Sequence, residues 1–510
     1  MFTRVSVESF GNMIPIMKRW SALSFMIGMA GISSADVMLP KIMGSGMVLQ
    51  RGVAAPIWGW ADQGEEVTVR FAGQEKKAIP DANGKWMARL DPLKASAEPR
   101  VMTIAGKKEV RLDDVLVGEV WLASGQSNME WRFHQLAPEE QRFVLTQQDN
   151  QLVRAFHVER HIKAGMPLDD TIGRWKKGTA LHSASAVAFF FALKLQQELE
   201  MPVAFLDASW SGERIENFIA GEGYDAMGIP YHHRKETDHE QRMQGYIASI
   251  DASLEAARKG IRIPFVVGDV YGWAENGIYN GMIAPLAPYA IRGAIWYQGE
   301  SNRGWTDYFK KLQALSAGWA KVFDVENMPL HMVQVAPYFY NPRDMQDSTL
   351  CDTVWAAQYR AAKEIPGAGV VAIHDTNINI RDVHPIYKRT VGERLAALAL
   401  KRQYGKDVVA SGPSFAAAKR HGSRVLVSFK AIDQGLTTSD GKAPSWFELS
   451  ADGRHFVKAN AAIRGETVEV ASAEVPDPEF VRMGWRDIAI PNLRDKNGWP
   501  VFSFPAQSIR

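Results

Sequence analysis

The run Val115-Leu116-Val117-Gly118-Glu119-Val120-Trp121-Leu122-Ala123 ends abruptly in Ser124-Gly125-Gln126-Ser127-Asn128. An apolar, β-branched stretch of this length reads as a strand buried on both faces, and strands of that kind belong to parallel sheets covered by helices. Its polar, glycine-containing end falls where open α/β sheets bind ligands, at the carboxyl edge of the strands. There Ser127 has a backbone that glycine frees to turn, although Ser and Asn also favour turns for purely local reasons. A second stretch has the same form: Ile295-Trp296-Tyr297 runs into Gln298-Gly299-Glu300-Ser301-Asn302. Strand and helix patterns alternate from Val115 to about Gln403, with strands at Val115–Ala123, Val203–Ala208, Gly293–Tyr297, His331–Val335 and Gly369–Ile373. Helices are predicted over Ala184–Glu200, Trp305–Phe323, Val354–Lys363 and Tyr387–Tyr404. Alternation of this kind predicts an α/β parallel sheet with helices on both faces. The aromatic stripe Phe189 to Phe191 reads as core, and Pro202 stops the first helix.

The string Asp382-Val383-His384-Pro385 places a carboxylate beside an imidazole. With Ser127 it completes the inventory of a hydroxyl nucleophile, its base and a group that orients the base. Two carboxylates compete for the orienting role. Asp382 lies two residues before His384, where an extended chain turns both side chains the same way, and Asp375 follows His374 at a strand end. The spacing favours Asp382, with Asp375 bonding backbone. Ser127 is not in a Gly-x-Ser-x-Gly elbow, so an α/β-hydrolase fold is not indicated. No His-Glu-x-x-His or carboxylate cluster supports a metal, and His232-His233 lacks a partnered ligand spacing.

Gly125-Gln126-Ser127-Asn128-Met129, Trp296-Tyr297-Gln298-Gly299-Glu300-Ser301-Asn302 and Asp382-Val383-His384-Pro385 resemble blocks I, III and V of the SGNH (GDSL-like) hydrolases. With Ile278 to Leu286 between them, they resemble more narrowly the sialate O-acetylesterase family of carbohydrate acetylesterases. The resemblance implies a flavodoxin-like SGNH sheet, Ser127 as nucleophile, His384 as base, Asp382 as its partner and no cofactor. It assigns the oxyanion hole to the backbone N–H of Ser127, that of Gly212, and a side-chain amide from Gln298 or Asn302. It sets Gln126, Glu300 and Glu213 beside the substrate. Two positions depart from the family: Ser211-Gly212-Glu213 stands where Gly-Gly-Thr is usual, and Arg381 where the wider superfamily tends to carry its Asp. The implied activity is removal of O-acetyl groups from sugars, sialate first, with acetylxylan or another polysaccharide as the alternative. A non-catalytic glycan-binding protein is a third reading, and an acetylated sugar or glycan is the partner in all three.

At 510 residues the chain calls for two to four domains. Residues 1–35 read as a secretory signal: Met17-Lys18-Arg19, an apolar run from Trp20 to Ile32, and a small-residue exit at Ser33-Ser34-Ala35, with Met17 an alternative start. That predicts a secreted or periplasmic protein, cut after Ala35, with no membrane span once the signal is gone. Residues 36–112 read as an N-terminal β domain. Val67–Phe71 alternates with period two, and Asn83-Gly84 signals a hairpin. Residues 113–405 form the catalytic domain, with an insertion at about 222–276 that holds a charged helix near Thr237–Lys259. Residues 410–510 form a C-terminal β domain, in which Met483 and Trp499 replace the family's Tyr and Leu. The net charge of +2 argues against nucleic acid, and a lone Cys351 excludes an intrachain disulfide.

Overall fold

The computed structural model describes residues 36–160, 163–231, 275–340 and 349–510. The expected signal, the pair His232-His233 and the helix near Thr237–Lys259 lie outside the described residues.

The chain opens with β1 (Val48–Gln50), β2 (Ala55–Trp60), β3 (Val67–Phe71), β4 (Gln74–Ala78), β5 (Lys85–Leu90), β6 (Ser96–Ala105) and β7 (Glu109–Gly125). The turn at Asn83-Gly84 forms, but the strands it joins do not pair: β4 pairs with β3, and β5 with β2. Pro80, buried just ahead of the turn, has no N–H to donate to a ladder. Strand β7 is one continuous element of 17 residues. Its first half pairs with β6 and its middle with β1, while from Glu119 onward it is a central strand of the next sheet. The expected boundary at 112–113 therefore falls inside a strand. The burial pattern changes there all the same: residues alternate up to Asp114, and every residue from Val115 to Gly125 is buried. Full burial of each Val or Leu in that run contributes about 1.5–3 kcal/mol.

The remaining strands of the parallel sheet are β8 (Val153–Val158), β9 (Gly173–Lys177), β10 (Val203–Ser209), β11 (Gly293–Tyr297), β12 (Leu330–Val333) and β13 (Ala368–Val371). The order is β13-β12-β11-β7-β10-β8-β9, with only β9 antiparallel to its neighbour. The five strands β10-β7-β11-β12-β13 follow the flavodoxin-like order 2-1-3-4-5, whose topological switch point lies between the first and third strands, here β7 and β11. Side chains alternate between the faces. Trp121 and Ile295 pack under the helices Ala186–Leu199 and Arg389–Tyr404, while Leu122 and Trp296 pack under Tyr308–Val322 and Asp352–Glu364. Phe190 and Phe191 are core, as their stripe predicts, and Phe191 meets Trp121 edge-on at 5.2 Å. Ser185 caps their helix by accepting from the Ala188 N–H, and Glu200 closes it in the left-handed conformation two residues before Pro202.

Strands β8 and β9 were not legible. Arg154 and His157 interrupt the apolar pattern of β8, and Arg154 is buried because Asp114 and three backbone carbonyls take its guanidinium. Beyond the helix Arg389–Tyr404, residues 414–508 form antiparallel strands. Met483 is buried in their core, and Trp499 lies against the guanidinium of Arg394, 5.4 Å from its ring centre. Trp485 packs edge-on against Trp355, and Asp487 accepts from the N–H groups of Leu350 and Cys351. Among the described residues no helix is long and apolar enough to cross a membrane.

Candidate active site

The tip of β7 meets that of β11 at the switch point. Gly125 has φ 143°, and a Cβ there would lie 2.2 Å from the Tyr297 carbonyl oxygen, so only glycine permits this approach. The next N–H, of Gln126, donates to that same carbonyl at 3.0 Å. Ser127 then opens a single helical turn, Ser127–Glu130, and stays partly exposed.

His384 arrives from the chain that follows β13, the terminal strand of the sheet on the β11 side. Its segment is held by Glu140, whose carboxylate accepts from the N–H groups of Lys388 and Arg389 and so caps the helix Arg389–Tyr404. The His384 Nε2 stands 2.8 Å from the Ser127 Oγ. Its ring stacks on Trp131 at 4.8 Å, with 24° between the planes. Burial, with the nearby Lys388 charge, holds the imidazole below its ordinary pKa, and Asp382 acts in the opposite direction. An Asp382 carboxylate oxygen lies 3.6 Å from His384 Nδ1 and 2.9 Å from the His384 backbone N–H, which donates to it. Asp375 does not bond backbone as the spacing suggested, because Arg394 takes both of its oxygens at 2.7 Å. Burial works to raise the Asp375 carboxyl, and Arg394 more than offsets it.

Asn128, next to Ser127, ties the three sequence blocks together. Its Nδ2 donates to Glu300 at 2.7 Å and to the Val383 carbonyl at 3.0 Å, and its Oδ1 accepts from Lys388 Nζ at 2.6 Å. Lys388 is fully buried, and that burial pushes its ammonium down to about 7. Burial also raises the Glu300 carboxyl, one oxygen of which has no partner among the described residues.

The other expected site residues take supporting positions. Gln298 and Asn302 are buried, and their amides bond each other at 2.7 Å instead of facing Ser127. Gln298 donates to the Glu213 carbonyl, Asn302 accepts from the Ile215 N–H, and Ser301 Oγ donates to the Gly212 carbonyl. Together these bonds fix the loop that carries Gly212, which has φ 77°. The N–H groups of Ser127 and Gly212 make no hydrogen bond among the described residues. Gln126 is buried, and its side-chain carbonyl accepts weakly from the Gly299 and Ser301 N–H groups, so it braces the β11 loop. Glu213 is not a free charge at the cleft, since Lys163 and Asn217 hold its two oxygens at 2.7 and 2.8 Å.

A cavity of about 320 Å³ opens over Ser127 and His384, with Trp131, Arg132, Arg160 and Ser211 among its walls. The two arginines had no signal in the sequence, because neither lies in a block and the chain brings them together only by folding. Among the described residues no group of three His, Cys, Asp or Glu could hold a metal.

Residues 117–401 match the family model described as carbohydrate esterase, sialic acid-specific acetylesterase. The chain is 30% identical to the sialate O-acetylesterase of Rattus norvegicus over 408 residues, 72% of this chain and 74% of the rat protein. It is 29% identical to the Homo sapiens sialate O-acetylesterase over 406 residues, 72% and 71% of the two chains. Among solved structures it resembles a carbohydrate acetylesterase from Xanthomonas citri with a TM-score of 0.78 and 28% identity, covering 92% of this chain and 99% of that one. A serine and a histidine within hydrogen-bond reach at the switch point of a flavodoxin-like sheet agree with these matches, and the chain belongs to the sialic acid-specific acetylesterase family of carbohydrate esterases, a family of carboxylic ester hydrolases.

Proposed function

We propose that the protein removes O-acetyl groups from sialic acids through an acyl-enzyme on Ser127. The observation that carries this reading is the 2.8 Å contact between Ser127 Oγ and His384 Nε2. In that contact Nε2 accepts, so Nδ1 carries the ring proton and faces Asp382. His384 takes the Ser127 proton as Oγ adds to the acetyl carbonyl, and the free N–H groups of Ser127 and Gly212 receive the oxyanion. The tetrahedral adduct collapses, the sugar hydroxyl leaves with the proton from His384, and acetyl stays on Ser127. Water, deprotonated by the same imidazole, then releases acetate. Gln298 and Asn302 act by holding the Gly212 loop. The β segments on either side are structural supports: β7 runs through the first without a break, and Trp485 and Asp487 dock the second. The basic-then-apolar start of the sequence supports action after export.

The likeness to a carbohydrate acetylesterase from Xanthomonas citri, named for carbohydrate in general, supports a second reading, the same chemistry on another acetylated carbohydrate such as xylan. Acetate release should be measured side by side on O-acetylated sialic acid and acetylated xylan, with acid-quenched enzyme examined for an acetyl group on the Ser127 peptide. Turnover of sialic acid with acetylated Ser127 supports the first reading, turnover of xylan alone supports the second, and acetylation elsewhere overturns the mechanism.

A further inference from the structure

We infer that Arg132 and Arg160 form a subsite for the carboxylate of an acidic sugar, so that the cavity over Ser127 selects an anionic acetyl ester over a neutral one. The inference rests on Ser127 and His384 being the reacting pair, whose cavity both arginines line. Glu130 anchors them. Its Oε1 lies 3.4 Å from an Arg132 nitrogen and 3.3 Å from the Arg160 Nε, while its Oε2 accepts from the Ser211 N–H at 2.9 Å. Two guanidiniums thus share one carboxylate oxygen, and among the described residues one positive charge remains uncompensated. The nearby Lys163 adds nothing, since Glu213 neutralises it.

Arginines that support this fold look different. Arg154 is 2% exposed and makes four hydrogen bonds, and Arg394 is 9% exposed and makes three. Arg132 and Arg160 are 33% and 43% exposed, and each guanidinium touches only Glu130 among the charged groups described. A guanidinium carries five N–H donors in a planar fork that matches a carboxylate, so most of the donors on both residues stay open to the cavity. At about 320 Å³ the cavity is at the lower end of the range for small-molecule sites, large enough for one sugar residue. A carboxylate held there would fix the ring while the acetyl ester reaches Ser127.

The test compares three substrates: O-acetylated sialic acid, its carboxyl methyl ester and 4-nitrophenyl acetate. The wild-type enzyme should prefer the acid over the methyl ester by roughly ten- to hundredfold in kcat/KM, the worth of one or two charge-assisted hydrogen bonds. This comparison needs no variant. The double variant Arg132→Ala, Arg160→Ala should lose that preference through a higher KM for the acid. Its turnover of 4-nitrophenyl acetate should stay within about twofold, and Arg132→Lys with Arg160→Lys should restore part of the preference. Equal wild-type rates on acid and methyl ester, or a double variant weakened equally on all three substrates, would overturn the subsite. Failure of the serine mechanism would show separately, as 4-nitrophenyl acetate turnover surviving Ser127→Ala.

Discussion

The part of strand β7 that lies in the parallel sheet, Glu119 to Gly125, has buried charge at both ends, and the two ends differ. At the lower end Glu119 is wholly buried and accepts from Gln50 at 3.1 Å, Arg51 at 2.5 Å, Arg292 at 2.9 Å and Tyr404 at 3.0 Å. At the upper end Glu300 has one bonded oxygen and one without a partner among the described residues, and the buried Lys388 ammonium donates to Asn128. A buried carboxylate with its lone pairs occupied is a fastener, because nothing in its surroundings invites it to change state. Incompletely satisfied charges beside a cavity are poised to respond to charge that appears there. The difference separates the end of the strand that holds the sheet together from the end where the proposed reaction takes place.

The largest expected effect lies at the upper end. Ser127→Ala and His384→Ala should each lower kcat by roughly 10³–10⁶-fold at unchanged urea midpoint. A Ser127→Ala enzyme keeping a tenth of its turnover would remove the basis of the contrast. The opposite signature belongs to the lower end. Glu119→Ala leaves two arginines without their buried partner and should cost about 3–5 kcal/mol of unfolding free energy, while the folded fraction keeps its kcat. A stable Glu119→Ala protein with impaired turnover would mean that the two ends do not divide structure from chemistry.

A smaller effect separates the two candidate carboxylates. Asp382 is half exposed and 3.6 Å from the His384 ring, so Asp382→Asn should lower kcat by roughly two- to fivefold, the worth of a solvent-screened ion pair. Asp375→Asn breaks a two-pronged bond to Arg394 and should lower stability without altering kcat. A loss near 10⁴-fold in Asp382→Asn would show instead that this carboxylate closes on the imidazole during the reaction.

The sequence showed five strands of the central sheet and the Ser127–His384 pair because both depend on local pattern. Apolar runs set β10 and β11 to within a residue and the end of β7 to within two, though β7 begins six residues before the expected Val115, and the strings around Ser127 and His384 mark the two side chains that meet. The roles of Gln298 and Asn302 were not legible. Their partners lie at Glu213 and Ile215, more than 80 residues earlier, and spacing within a turn does not say whether an amide faces the cavity or the neighbouring loop. Arg132 and Arg160 escaped for a related reason: a lone arginine on a loop looks like any solvated charge until folding places Glu130 between the pair. Strand β8 escaped because its buried Arg154 is tolerated only through the Asp114 carboxylate and three backbone carbonyls that folding brings around it.

The smallest predicted effect is the most specific to the upper end. His384 serves as base only when neutral, so kcat/KM should rise with pH through its ionisation and then level off. Burial and the Lys388 charge both disfavour the imidazolium, which sets that rise below the ordinary histidine value of 6.5. Burial pushes the Lys388 ammonium down to about 7, above the lowered His384 ionisation, so its charge opposes the imidazolium where His384 loses its proton. Lys388→Met removes the charge at similar length and leaves the burial in place. The acid limb should therefore move to higher pH, while the plateau changes little as long as Asn128 still holds Glu300 and the Val383 carbonyl. Asp382→Asn should move the limb the other way, since that carboxylate favours the imidazolium. A pH profile of kcat/KM for the three proteins, on a substrate whose own charge is constant over the range, decides the matter. Opposite displacements in the two variants would make Lys388 the group that keeps the base neutral. An unmoved limb in Lys388→Met would mean that the lysine is already uncharged in the resting site, and that the upper end is as quiet electrically as the lower.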